Sequence, residues 1–294
     1  DGTVGNDLVK YTCAHCGAEI ITDRSTAATV CVYCGNAVIM GEQIIDNFSP
    51  DYVIPFKVPK NQVMDAFQKF SKKPLTPKDF SCDRVVDKMQ GVYIPFWLYS
   101  GNCEGSITAE GINTRTWTSG NYRYTEKKYY SVYRNGTLDF KAVPVDASSK
   151  TDDDAMDSIE PFDYSEMTAF NPGYLSGYLA ERYDEDKDKC LPRAKERIEN
   201  TTRDELRNTC NYNSVNVQSY EKHTEIKDVK YAMLPTWLLY TTYQDKPYFF
   251  AMNGQTGKFI GNLPISKGKL VAYSLLGGVG GYIIGAILQI MGIF

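Results

Sequence analysis

Four cysteines near the start of the chain constrain its fold more than any other feature. They form two pairs with the spacing C-x2-C-x14-C-x2-C: Cys13, Cys16, Cys31 and Cys34. This spacing lets two tight turns each present two thiolates to one tetrahedral metal ion. Four thiolates leave no open coordination position, so the ion would be structural. We therefore predict a zinc ribbon over residues 10–40 that holds one structural Zn²⁺.

Two other interpretations of these cysteines stay open. Iron also binds four thiolates, as in a rubredoxin-like site, and the cysteines could instead be free or redox-active. Gly17 and Gly35 follow the second cysteine of each pair, where the chain has to turn sharply. The residues between the pairs, 18–30, have apolar ends and a polar centre. This pattern predicts a β-hairpin that joins the two halves of the ribbon.

The charge of the ribbon argues against a nucleic-acid partner. The whole chain has a formal net charge of -4. Between residues 11 and 40 the only charged side chains are Glu19, Asp23 and Arg24, and a zinc ion with four thiolates adds about -2. Because phosphate binding depends on Lys and Arg, we expect the ribbon to contact protein or to have an architectural role.

The C-terminal segment, residues 270–294, contains no charged side chain. At about 1.5 Å per residue, a helix of this length would cross roughly 30 Å of hydrocarbon. A buried core helix is the alternative. Lys267 and Lys269 precede the segment, which by the positive-inside rule leaves the bulk of the chain in the cytoplasm. We predict a single-pass protein of the cell membrane.

Three glycines recur every four residues in this segment: Gly277, Gly281 and Gly285. Such spacing allows two membrane helices to approach closely, so it favours self-association through this helix face. Glycine is also common in membrane helices, and the spacing has that second explanation.

The body of the chain repeats one short motif. An apolar-Pro-x-Trp-Leu element occurs at residues 95–98 and again at residues 235–238. Each copy follows a helical pattern, over residues 61–72 and about 192–210, and each leads into a β-rich stretch. We therefore predict a degenerate internal duplication. Its prolines and tryptophans have a structural role in strands and core.

These patterns predict an α+β fold with a small N-terminal zinc ribbon and a C-terminal transmembrane helix. The expected segments, in chain order, are the ribbon at 10–40, a first α+β half with a β-meander at 41–150, an acidic loop and helical segment at 151–215, a second β-rich half at 216–266, and the membrane helix at 270–294. Residues 151–167 carry seven acids and no base. They could cap a helix, bind Ca²⁺ or face a basic partner. They lack the register of a calcium-binding EF-hand, and a solvated loop is the default expectation.

Residues 114–134 alternate aromatic or β-branched residues with polar ones. This alternation predicts a hairpin or meander, with turns at Gly120-Asn121 and Asn135-Gly136. The stretch also contains five cations: Arg115, Arg123, Lys127, Lys128 and Arg134. Cations interleaved with tyrosines fit single-stranded nucleic acid, but an ordinary solvated sheet has the same pattern.

Catalytic motifs are scarce in this sequence. His15 and His223 are its only histidines, and it has neither a G-x-S-x-G elbow nor an H-E-x-x-H motif. The stretch "NGQTGK" has the wrong spacing for a phosphate loop and fits an Asn-Gly turn better. A hydrolase or redox enzyme would have to use Cys103 or His223. We expect no enzymatic activity.

The chain resembles a family of bacterial membrane proteins that carry a TFIIB-type zinc ribbon and are often labelled helicase-like or primosomal-protein-like. The resemblance rests on the cysteine stretch and on "PDYVIPFKV", "GVYIPFWLY", "LPTWLL" and "FAMNGQTGKFIGNLP". It implies an adaptor in a membrane-stress system, with partners similar to phage-shock protein A or to SPFH proteins. The helicase label has no support in this sequence, since it lacks an ATP-binding loop.

The expected function is therefore that of a non-enzymatic, membrane-anchored zinc-ribbon adaptor that recruits protein partners. The alternative is a membrane-tethered nucleic-acid-binding protein that uses the ribbon and the Tyr/Arg/Lys-rich sheet. The two differ in salt dependence, because phosphate binding weakens steeply as salt is added.

Overall fold

Long antiparallel β-strands dominate the fold. The computed structural model describes residues 8–15, 17, 19–23, 26–30, 37–39, 49–77, 80 and 89–275. The elements, in chain order, are β1 (Leu8–Thr12), β2 (Glu19–Asp23), β3 (Thr26–Val30), β4 (Ala37–Ile39), β5 (Tyr52–Val53), α1 (Lys60–Ser71), β6 (Gln90–Ser119), β7 (Tyr122–Asp146), α2 (Asp153–Ser158), β8 (Thr168–Ala169), β9 (Leu179–Glu181), α3 (Lys187–Asn208), β10 (Ser214–Tyr243), β11 (Lys246–Asn253) and β12 (Phe259–Gly261). Residues 267–275 are also helical.

The chain divides into two compact units. The first unit comprises residues 1–54, 93–151 and 164–234, and the second comprises residues 55–92, 152–163 and 235–294. Each unit therefore combines segments that are distant in sequence.

The first unit is built on the β6–β7 hairpin. These strands pair from Phe96 with Asp146 to Ser119 with Tyr122, and residues 120–121 form the connecting turn. The neighbouring strands of this unit follow in the order β10, β6, β9, β3 and β4. β-Branched and aromatic residues are frequent in β6 and β7, as expected for strands of this length.

Helix α3 covers one face of this sheet. It begins where the Asp186 carboxylate accepts hydrogen bonds from the N–H groups of residues 188 and 189. Its buried residues recur every four positions: Cys190, Ala194, Ile198, Thr202 and Leu206. This stripe packs on the sheet beside Ile107, Ala109 and Val132.

The second unit combines α1 with the β10–β11 hairpin. The hairpin turns at Gln244 and Asp245, which both have positive φ, and β12 pairs with β11. The aromatic core of this unit contains Phe67, whose ring lies 5.3 Å from Phe250 and 5.4 Å from Phe259. Helix α1 coincides within one residue with the helix expected over 61–72.

The predicted fold class, with a separate N-terminal zinc ribbon, is wrong. The described strands do not form the hairpin expected over residues 18–30: β2 pairs with β1, whereas β3 pairs with β4 and β9. Strands β3 and β4 thereby join the large sheet. Within the described ranges, no cluster of three or more His, Cys, Asp or Glu side chains could hold a metal ion. An assembled zinc ribbon is thus not part of the described fold.

The predicted transmembrane helix and the single-pass membrane location also need correction. Among the residues that the structure describes, no helix is both long enough and apolar enough to cross a lipid bilayer. Residues 276–294, which include Gly277, Gly281 and Gly285, lie outside the described part.

Two smaller predictions differ from the structure. Asn135 and Gly136 do not form a turn but lie inside β7, where Gly136 pairs with Gly105 beneath helix α3. The acidic stretch is not a plain loop, because Asp152 caps the short helix α2 by accepting from the Ala155 N–H at 3.0 Å. Acids in the first turn of a helix are favoured by its dipole, which explains why so acidic a segment is helical here.

Candidate interaction surface

The end of the β6–β7 hairpin forms a two-stranded arm. We call residues 114–131 the distal arm, and every side chain in it is exposed. The arm starts where the third strand of this part of the sheet, β10, begins. There the Thr114 N–H donates to Asn213 Oδ1 at 2.7 Å, and the Asn213 N–H donates to Asn113 Oδ1 at 3.2 Å. Beyond this level the described sheet consists of β6 and β7 alone.

One face of the distal arm is aromatic. Trp117 and Tyr124 form a cross-strand pair, and their rings stack at 5.7 Å with an interplanar angle of 15°. Trp117, Tyr122 and Tyr124 remain 42%, 71% and 46% exposed. The Arg115 guanidinium lies 5.8 Å from the Trp117 ring, in cation–π contact. This aromatic face is a preorganised apolar surface that water reaches.

The aromatic face continues the strip of the sheet that helix α3 covers. Leu206, near the end of the helix, belongs to the buried cluster with Ala109 and Val132. Tyr212 then lies over Gly111 and contacts the Tyr130 ring at 5.2 Å. Past this tyrosine, the described residues place no element over the face. The aromatic face is therefore a sheet face without its own helix.

The other face of the arm is mainly polar and β-branched, with one exposed tyrosine, Tyr129. Thr114, Thr116 and Thr118 form a row, and Thr116 Oγ1 lies 3.4 Å from Thr125 Oγ1 across the pair. Arg123 and Lys127 extend from this face. The arm as a whole has four cations, Arg115, Arg123, Lys127 and Lys128, and one carboxylate, Glu126. Its net charge of +3 contrasts with the net -4 of the chain.

The predicted metal ligands are only partly described. Cys13 is buried, whereas Cys16, Cys31 and Cys34 lie outside the described residues. The Gly17 N–H donates to the Cys13 carbonyl at 2.9 Å, and Gly17 has a φ of +72°. A tight turn of this kind suits a metal-binding knuckle. The four-cysteine site, and its occupation by zinc or iron, stays a prediction that elemental analysis would test.

Cys103 and His223 do not form a nucleophile–base pair in contact with solvent. Cys103 is fully buried, and its Sγ lies 3.4 Å from Thr224 Oγ1 and 3.9 Å from the Tyr220 hydroxyl. The Thr224 hydroxyl also donates to Glu199 Oε1 at 3.1 Å. His223 is exposed. The thiol is thus a packed, hydrogen-bonded core group rather than an accessible nucleophile.

Four of the five cations expected in this hairpin lie on the distal arm, and Arg134 lies outside it. The sequence did not reveal that both faces of the arm are exposed. Alternation assigns Trp117 and Tyr124 to one face of a strand pair, yet it does not say whether another element covers that face. A signal for exposure does exist in retrospect. Cations on both faces of a strand pair would be unusual if either face belonged to a core.

Comparison with known proteins identifies the family. The chain is 39% identical to the "Uncharacterized protein YdjG" of Bacillus subtilis (strain 168), in an alignment that covers 90% of this chain and 93% of that protein. The chain belongs to the YdjG family. No protein-family model matches the chain, and no solved structure matches it either.

Proposed function

We propose that this YdjG-family chain is a non-enzymatic adaptor that binds a protein partner through the aromatic face of its distal arm. The observation that carries the proposal is the exposed stack of Trp117 and Tyr124 on a sheet face that no described element covers. Rigid exposed aromatic residues are the side chains that most often dominate protein interfaces. Each large ring contributes apolar area with few rotatable bonds, so little entropy is lost on binding.

The surroundings of the arm support binding rather than catalysis. The side chains on the aromatic face are rings, hydroxyls and exposed charges, and the thiol of Cys210, which packs with Ala109 and Val132 beside the arm, is buried. The resemblance to TFIIB-type ribbon proteins suggests proteins similar to phage-shock protein A or to SPFH proteins as partners. A pre-formed arm would engage such a partner without a large rearrangement of its backbone.

Binding of purified partners would test this function. The full chain would be immobilised and exposed to the phage-shock-protein-A-like and SPFH proteins of its own organism, beside an unbiased affinity purification. We expect the triple variant Trp117→Thr, Tyr122→Thr, Tyr124→Thr to weaken partner binding by at least about 30-fold, corresponding to about 2 kcal/mol.

A matched control uses the opposite face of the same hairpin. Tyr133 is 62% exposed, and its pairing with Thr108 assigns it to the face that carries the threonine row. Tyr133→Thr should leave partner binding within about twofold of the unchanged chain. If the triple variant kept its partners, the adaptor proposal would be wrong.

A second candidate function is binding of single-stranded nucleic acid by the same arm. The specific observation in its favour is the Arg115–Trp117–Tyr124 arrangement, since bases stack on aromatic rings and phosphates attract guanidinium groups. Titration of a fluorescent oligo-dT at several salt concentrations separates the two functions. An adaptor gives no measurable affinity, whereas a nucleic-acid-binding protein loses affinity with a log–log slope of about -0.7 per phosphate contacted.

A further inference from the structure

Among the residues that the structure describes, no strand pairs with the main-chain edge of the distal arm beside β6. The Thr114 N–H points away from β7, because it donates to Asn213 Oδ1. In an antiparallel pair, alternate residues direct their N–H and C=O groups to the same edge. The main-chain groups of Thr116 and Thr118 therefore face this edge too. The edge continues the line of β10, which begins at Ser214.

Such an edge is a template for another strand. Main-chain N–H and C=O groups at an open edge can pair with any extended polypeptide, and proteins usually protect long edges with proline, bulges or inward charges. The described β6 segment from Thr114 to Ser119 has no proline and no bulge, its one charged side chain is Arg115, and it pairs regularly with β7 throughout. Its threonines are β-branched and favour the extended conformation.

The side chains beside the edge indicate what such a strand would contain. On the aromatic face an added strand would lie next to Arg115 and Trp117, and on the other face next to the threonine row. The four cations and the one carboxylate of the arm, Glu126 opposite Arg115, sum to a net charge of +3. Acidic side chains would therefore be attracted and basic ones repelled. Every second residue of the strand would meet the Trp117 ring or the Arg115 guanidinium.

We propose that an acidic, extended segment of a partner protein adds a strand to the Thr114–Ser119 edge. This inference rests on the adaptor function proposed above and specifies its partner chemistry. The Thr114 N–H is occupied by Asn213 Oδ1, so the N–H and C=O groups of Thr116 and Thr118 are the ones that would pair with a peptide backbone. A nucleic acid has no such repeating N–H and C=O pattern. Two arms of separate copies, each at +3, would repel one another, so a second arm is not the occupant.

The test removes one edge N–H and leaves the side-chain surface nearly unchanged. Thr116→Pro deletes the N–H that faces the edge, and proline is tolerated at an open edge because no bond to β7 is lost. The matched control is Thr125→Pro, in the same cross-strand pair. Its N–H faces the opposite edge of the arm, beside no proposed partner. Both variants are compared with the unchanged full chain by circular dichroism and thermal unfolding, and by amide exchange of the arm.

The probe is an array of heptapeptides in which threonine alternates with randomised residues, incubated with the full chain. We expect the bound sequences to be rich in Asp and Glu together with an aliphatic or aromatic residue. Thr116→Pro should weaken binding of the selected peptide at least tenfold, and Thr125→Pro should change it less than twofold. N-methylation of every second peptide residue should abolish binding when the methylated N–H groups face the arm, and should have little effect when they face away from it. The Thr116 and Thr118 amides should become protected from hydrogen exchange when the peptide binds.

Several results would overturn strand addition. These are selection of basic peptides, no selected peptide tighter than about 1 mM, equal effects of the two proline variants, or tighter binding of oligo-dT of equal formal charge than of the selected peptide. Failure here is distinguishable from failure of the adaptor function. If the Trp117/Tyr122/Tyr124 triple variant loses its protein partner while Thr116→Pro keeps it, the aromatic face is the docking surface and strand addition is wrong.

Discussion

The indole N–H of Trp97 donates a 2.9 Å hydrogen bond to the main-chain oxygen of Glu185. In the other unit, the indole N–H of Trp237 donates a 2.9 Å hydrogen bond to the main-chain oxygen of Val58. Both tryptophans belong to a Pro-x-Trp-Leu element, and both acceptors lie just before a helix. The same local contact thus joins hairpin to helix in each unit.

Main-chain hydrogen bonds join the same hairpins to the same turns. The Ala147 carbonyl accepts from the N–H groups of residues 184 and 185, at 3.1 and 3.2 Å. The Gly254 carbonyl accepts from the N–H groups of residues 57 and 58, both at 2.9 Å. Each of these carbonyls follows an Asp or Asn at the end of a strand. The contacts extend the similarity of the two Pro-x-Trp-Leu elements to the turns that face them.

The connections between hairpin and helix are crossed along the chain. The earlier hairpin, β6–β7, contacts the turn before the later helix, α3. The later hairpin, β10–β11, contacts the turn before the earlier helix, α1. Each unit therefore needs both halves of the sequence.

Loss of either indole N–H should destabilise the protein. Trp97→Phe and Trp237→Phe each leave a main-chain carbonyl without its donor, so we expect each to lower the free energy of unfolding by about 1–3 kcal/mol. Trp117→Phe, on the exposed arm, should change it by less than about 0.5 kcal/mol. Denaturation in urea, followed by far-UV circular dichroism, measures all three. Equal effects of the three substitutions would contradict the structural role of the two elements.

Separation of the chain into two fragments should test the crossed connections. A break between Ser176 and Gly177 lies in a turn where nothing contacts a Cβ built on the glycine. We expect fragments 1–176 and 177–294 to be poorly folded alone and to copurify as a folded pair when coexpressed, because each unit draws on both. Copurification and the dispersion of amide resonances give the answer. A single fragment with a well-dispersed spectrum would argue against the crossed arrangement.

Gly105 should tolerate a methyl group less well than its cross-strand partner. A Cβ at Gly105 would lie 2.9 Å from Thr202 Cγ2 and 3.1 Å from Leu206 Cδ1. A Cβ at Gly136 would lie 3.5 Å from Leu206 Cδ2, an ordinary contact. We expect Gly105→Ala to cost about 1–3 kcal/mol of stability by pushing helix α3 off the sheet, and Gly136→Ala to be close to neutral. Thermal unfolding of the two variants compares them, and a reversed order would refute this packing.

Stability should fall at alkaline pH. Burial raises the pKa of Tyr99 and of Tyr231 above the ordinary value near 10. Above pH 10 the unfolded chain releases these protons while the folded chain retains them, so unfolding becomes easier as the pH rises. Below pH 10 both states hold the protons and the contribution is constant. For Tyr231 alone, the free energy of unfolding falls by at most about 1.4 kcal/mol per pH unit in this range.

The alkaline effect has a direct control. Tyr231→Phe removes one ionising group and should flatten the fall in melting temperature between about pH 10 and pH 11. Tyr122→Phe, at an exposed tyrosine, should leave the profile unchanged. Identical profiles for the two variants and the unchanged chain would show that burial of Tyr231 has no such effect.

Local features of this protein could be read from its sequence. The turn at Gly120-Asn121, the helix close to residues 61–72 and the Asn-Gly turn at residues 253–254 all appear in the structure, because each depends on residues within a few positions. The predicted pairing of β3 was wrong, because the partner of a strand can lie far away in sequence. The pairing of Ala28 with Ala180 has no local signal.

The pattern of residues along this chain is enough to show which side chains share a face, that a turn lies at Gly120-Asn121 and that a Pro-x-Trp-Leu element recurs, but it wrongly predicts a turn at Asn135-Gly136. What covers each face depends on the packing of distant segments. Periodicity is a property of neighbouring residues, whereas burial depends on elements that arrive from elsewhere in the chain. Helix α3 covers Gly105 with its residues Thr202 and Leu206. The helix ends at Asn208, whereas strands β6 and β7 of the sheet continue beyond it. The aromatic face of the distal arm is exposed for that reason alone.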